Sequence, residues 1–235
     1  MTAILKNITL TFIIGLLTIS SASACIPDNM IKRFKIYNNG SPIGEHTLKF
    51  SQEGDRTNVD IDIQMKAGVL FFTVFRYSHQ NTEIWEGDQL ISVDAKTDDN
   101  GDQFFVKVER TDKGLKVESK DHSYVTDFDT MSSTYWKEEM AKQSQLINTQ
   151  TGELADLRLI EATEETYTVN GEDIPANRYR IKGDLDATLW YAKNNGEWIG
   201  LEFTVKGNTL RYEPVIEDTN RLFQPTKESL SGICK

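Results

Sequence analysis

The sequence predicts a mainly β fold, a curved antiparallel sheet or half-open β-barrel carrying one short helix. Three observations lead there. Apolar and polar residues alternate with period two through most of the chain, dense turn signals interrupt the alternation, and a single stretch keeps helical spacing.

A leader comes first. Lys6 is the only charged residue before Asp28, and the apolar run Ile8 to Ile19 follows it, broken by Thr9, Thr11, Gly15 and Thr18. Small residues then lead through Ser20-Ser21-Ala22-Ser23-Ala24 to Cys25. A positive start, an apolar core of about 12 residues and an Ala-x-Ala end form a secretory signal cleaved after Ala24. The run falls short of the roughly 20 apolar residues that span a bilayer. Residues 1–24 therefore stand outside the fold, and 25–235 read as one antiparallel β domain in the periplasm. No Pro- or Gly-rich linker and no internal repeat divides it.

Strands follow in order. Phe34 and Ile36 alternate up to the turn Asn38-Asn39-Gly40-Ser41-Pro42; His46, Leu48 and Phe50 run to Glu53-Gly54-Asp55. Val59, Ile61, Ile63 and Met65 then face one way while Asp60, Asp62 and Gln64 face the other, as in a sheet buried on one side. The stretch Gly68 to Tyr77 is apolar on both parities and reads as a central strand, covered on both faces or bordering a cavity. Short strands are expected at Leu90 to Asp94, Phe104 to Val108 and Leu115 to Val117. Others are expected at Leu157 to Ile160, Tyr167 to Val169, Tyr179 to Ile181, Leu189 to Ala192, Ile199 to Val205 and Leu210 to Tyr212. Between them, Ser132-Ser133-Thr134 offers capping hydroxyls, and Tyr135, Trp136, Met140 and Ala141 share one side of a helix over 133–143. Such a helix cannot stand alone and must cover an open sheet face or barrel mouth.

Composition excludes some partners. Without the leader, which carries one lysine and no acid, 25 basic and 36 acidic side chains remain, a balance of −11. That sign argues against nucleic acid and anionic lipid surfaces. Two cysteines in an exported chain, Cys25 and Cys234, are most simply paired with each other. Lipid attachment at Cys25 is the alternative, although Ala22 stands where a bulky aliphatic residue is usual. An envelope protein is the alternative partner to a lipid-like or other apolar small molecule.

Catalytic motifs are missing: no H-E-x-x-H, G-x-S-x-G, Walker loop, C-x-x-C or Rossmann glycine run. Aligning Gly101 of the acidic Asp98–Asp102 turn with the EF-hand glycine puts Lys96 first and Lys107 last, which no cation would accept. No metal and no cofactor is expected. His46 and His79 share parity with apolar neighbours and point inward, whereas His122 lies in a polar loop. Large rings are abundant and most simply fill a core; the competing reading makes Phe71, Phe75, Tyr77, His79, Trp85, Trp136 and Trp190 the candidate lining of an apolar cavity. Arg178 and Arg180 share a strand face and read as partners for surface acids, with a carboxylate or phosphate headgroup as the alternative.

Four stretches carry a resemblance: FKIYNNGSPIGEHTLKFSQEGD (34–55), FRYSHQNTEIWEGDQLISVDAKTDDNG (75–101), STYWKEEMAKQSQLINTQTGEL (133–154) and IPANRYRIKGDLDATLWYAKNNGEWIGLEF (174–203). Together they resemble an exported proteobacterial family, domain of unknown function 6134 (DUF6134). The opening and closing hairpins are similar to DUF3108 proteins and, more distantly, to the LolA and LolB carriers, which wrap a curved sheet around a lipid-binding cavity. The resemblance implies location and architecture and transfers no catalytic residue.

Three functions follow as expectations. The leading one is a periplasmic binding or carrier protein for an apolar or amphipathic, lipid-like ligand. The alternatives are an envelope hydrolase with His79 or His46 as base, and a non-catalytic module that recruits an envelope partner through open sheet edges.

Overall fold

In the computed structural model, residues 30–69, 72–169, 171–205 and 207–215 are described. The leader, Phe71, Cys25 and Cys234 lie outside those residues. A first run of strands comprises β1 (Met30–Asn38), β2 (Ser41–Glu53), β3 (Arg56–Val69), β4 (Phe72–Glu86), β5 (Gln89–Asp99), β6 (Asp102–Thr111), β7 (Gly114–Ser119) and β8 (Ser123–Thr126). Two short strands, β9 (Met131–Ser132) and β10 (Gln145–Ile147), flank the middle of the chain. The second run comprises β11 (Leu154–Val169), β12 (Glu172–Gly183), β13 (Ala187–Ala192), β14 (Trp198–Val205) and β15 (Asn208–Pro214).

All fifteen join one curved sheet that does not close on itself. Its order is β8 through β1 in sequence, then β15 back to β9, so two meanders meet where β1 pairs with β15. Each neighbour pair is antiparallel except β9 with β10, as hairpin-length connections require. Two of those hairpins turn on Asn-Gly. Asn39 (φ 47) with Gly40 (φ 82), and Asn100 (φ 55) with Gly101 (φ 101), occupy the left-handed region that a tight turn between twisted strands demands.

Alternation then does what it promised. Phe34, Ile36, Leu48, Phe50, Val59, Ile61, Val106, Val108 and Val117 fill the concave side and are essentially buried. The intervening residues Asp60, Gln64, Lys107 and Lys116 stand in water.

Three sequence expectations need correction. Gly68 to Tyr77 is not one central strand, because β3 ends at Val69 and β4 begins at Phe72. The two strands pair antiparallel with each other, and the register shifts between Ala67 and Gly68. Each event resets which positions share a face, so consecutive apolar residues here do not require cover on both sides of a strand.

The 133–143 helix is replaced by a single 3₁₀ turn, Glu138–Lys142, and its residues Met140 and Ala141 are buried. The expected caps act elsewhere. Ser132 donates to Glu83 (2.9 Å), Ser133 pairs with Thr149 (3.2 Å), and Lys137 enters the turn extended with no side-chain cap. The segment nevertheless covers the sheet's concave face. Tyr191 donates to the Tyr135 carbonyl at 2.9 Å, and Glu138 accepts from Asn177 (3.1 Å) and Tyr179.

The two strands expected within 157–169 are one long strand, β11, with a bulge between Leu159 and Glu161. Its hairpin with β12 runs past the last β13 partner, Ala192 opposite Ala176. The overhanging end lies against the outer face of the second meander, where Tyr167, Val169, Ile174, Ala176, Ala192 and Ile199 form a second, smaller apolar cluster.

Candidate functional site: an interior cavity

A cavity of about 560 Å³ opens on the concave side. That volume lies within the range of small-molecule sites. Strands β2, β3 and β4 form one wall, β14 and β15 another, and the chain between β9 and β11 the floor. The hairpin register gives its depth. From the Ala67–Phe75 pair near the sheet rim to the Ile61–Asn81 pair is six residues along β4, roughly 20 Å of strand. Ile43, Phe75, Leu185 and Val205 stand near the rim, Ile63, Met65 and Tyr212 midway, and Leu48, Ile61 and Leu146 deep.

Two histidines share this interior. His79 on β4 is buried, with Nδ1 2.8 Å from Thr97 Oγ1 and Nε2 3.5 Å from Thr149 Oγ1. Burial pushes its imidazole down to about 4. His46 on β2 sits among the rings of Phe34, Tyr135, Trp198 and Tyr212, and neither ring nitrogen has a hydrogen-bond partner among the described residues. Burial, then the neighbouring His79, holds it at about 3. Beside them Tyr77 stacks on His79 with centroids 6.4 Å apart and donates to Gln150 Oε1 at 3.1 Å. Burial raises the Tyr77 phenol.

Below the cavity lies a polar knot. Glu83 is fully buried on β4 and accepts from Trp85 Nε1 (2.8 Å), Ser132 Oγ (2.9 Å) and Asn81 Nδ2 (3.0 Å). Burial raises its carboxyl, and these donors pull it partly back. The knot ties β4 to β9, which is how the floor is fixed to the wall.

The residues picked from sequence separate into groups. Phe75, Tyr77 and His79 line the cavity, as does His46. Trp85 and Trp136 do not. Trp85 is sealed in the core, and Trp136 packs edge-on against both Phe50 and Trp85. Trp190 lies on the opposite face of the sheet, against Tyr167 and bonded to Glu165 at 2.6 Å. Arg178 pairs there with Glu161 at 3.4 Å. Several polar lining residues escaped notice: Asn81, Thr134, Thr149 and Gln150. Asn81 and Glu83 continue the odd parity of Phe75, Tyr77 and His79, and that signal was available. Thr134, Thr149 and Gln150 reach the site through the floor, which no local pattern discloses. Among the described residues no group of three or more His, Cys, Asp or Glu is placed to hold a metal.

A long antiparallel sheet wrapped around one floored cavity defines a half-open β-barrel protein. The chain belongs to the family Domain of unknown function (DUF6134), whose model matches residues 34–215. No curated protein matches it. Among solved structures it is similar to the β-barrel-like protein of domain of unknown function DUF1849 from Brucella abortus. The TM-score is 0.53 at 8% identity, over 81% of this chain and 98% of the other. At that identity the likeness concerns the fold.

Proposed function

We propose that the protein is an exported binding or carrier protein for an apolar or amphipathic small molecule. The cavity carries this reading: strand walls rich in apolar and aromatic side chains, with polar groups gathered at the floor and rim and one open end, suit a small amphipathic molecule. The leader-like residues 1–24 support export, and the pairing of the first and last described strands, β1 with β15, is compatible with the proposed Cys25–Cys234 bond.

The test is native mass spectrometry of protein purified without detergent, followed by titration with a fluorescent lipid probe. Co-purifying ligand, or saturable binding of one probe per chain, is expected. A clean mass together with no saturable binding would defeat the proposal. For the hydrolase reading, His79 reaches two threonine hydroxyls, but among the described residues no carboxylate is hydrogen-bonded to either imidazole to orient it as a base.

A further inference from the structure

Besides Asn38 Oδ1 at the rim, three lining residues farther in hold polar atoms without a partner among the described residues: both ring nitrogens of His46, Asn81 Oδ1 and Thr134 Oγ1. All three residues are more than nine-tenths buried. Buried polar groups are normally bonded, and each one left unsatisfied costs on the scale of a lost hydrogen bond. The set has a chemical bias. An amide oxygen only accepts, a neutral imidazole donates from one nitrogen and accepts at the other, and a hydroxyl does both. A complementary group must therefore donate as well as accept.

Charge narrows the choice. Among the described residues no lysine or arginine lines the cavity, and the charged residues that do are Asp99 and Asp184. Both adjoin hairpin turns at the rim, Asp99 before Asn100-Gly101 and Asp184 after Gly183. A carboxylate or phosphate carried inward would meet no cation, and as a pure acceptor it could give nothing to Asn81 Oδ1. The apolar residues near the rim suit a hydrocarbon tail that trails outward.

We propose that the cavity takes a long-chain amphiphile head-first, and that this head is uncharged and bears a hydroxyl or amide group. The inference rests on the binding reading above and names its ligand class. The seat is formed by His46, Asn81 and Thr134, and the corresponding fatty acid is discriminated against.

Equilibrium dialysis of the full mature protein against a monoacylglycerol, a fatty acid and an alkylamine of one chain length provides the test. Saturable binding of the monoacylglycerol is expected, with the acid and the amine each at least about tenfold weaker. Thr134→Val, which keeps shape and removes the hydroxyl, is expected to weaken the monoacylglycerol about tenfold and leave the acid unchanged. His46→Leu serves as a second variant, and thermal melts identify any loss of fold. Equal or tighter binding of the acid or the amine overturns the inference while leaving a binding protein. So does unchanged monoacylglycerol affinity in both folded variants. Failure of all three amphiphiles to bind sinks the binding reading itself, and the inference with it.

Discussion

Glu83 shows how one side chain can hold two parts of a sheet together. Three donors from β4 and β9 converge on its buried carboxyl, so truncation would strand them all. Glu83→Ala is expected to destabilise by about 3 kcal/mol in urea unfolding at neutral pH. Because folding raises this carboxyl above its ordinary 4.5, the group stabilises fully below that pH and loses its contribution as pH rises through the folded value. Glu83→Gln should therefore remove a component of stability that declines with rising pH. The histidines act in the opposite sense. His79 is lowered from 6.5 to about 4, so its contribution is complete above pH 6.5 and is lost as pH falls toward 4. At most about 3 kcal/mol is involved. Urea titrations across that window should show His79→Gln less acid-sensitive than the parent, and equal sensitivity would refute the assignment.

Among the elements, the β11–β12 hairpin departs most from a plain meander. Its end lies on the outer face of β14, and a Cβ added at Gly200 would sit 2.5 Å from the Tyr167 hydroxyl and 2.7 Å from the ring. Only glycine lets the ring lie so close. Gly200→Ala is expected to cost about 1–3 kcal/mol, with most of the loss absent in a Tyr167→Leu background. Additive effects in that double-mutant cycle would mean the contact carries no weight. The floor segment teaches a related lesson. Its apolar spacing correctly announced burial of Met140 and Ala141, while the helix implied by that spacing gave way to tertiary partners for Ser132, Ser133 and Tyr135.

For the whole molecule the decisive quantity is unfilled volume. A sheet of fifteen strands curving without closure encloses more than its own side chains occupy, and the floor seals only one end. Ala67 lines the cavity opposite Phe75, near the open end. Ala67→Phe is expected to abolish saturable probe binding while changing stability by less than about 1 kcal/mol, since the added ring enters existing space. Retained affinity in a folded variant would place the ligand elsewhere. Net charge enters at this scale too, because a strongly acidic chain keeps anionic surfaces at a distance.

The sequence by itself determined the strands that alternate cleanly, the Asn-Gly hairpins, the mainly β class and the inward parity of Phe75, Tyr77 and His79. Those features are written in neighbours one to four residues apart, where backbone geometry alone dictates which side chains share a face. Only the tertiary structure decided that Trp85, Trp136 and Trp190 lie away from the cavity, that the helix is a 3₁₀ turn, and that Thr134 and Thr149 join β2 and β4 at one site. Ring size signals burial without saying on which face or against what. The meeting of segments some 50 to 100 residues apart follows from sheet curvature and register, which no local window contains.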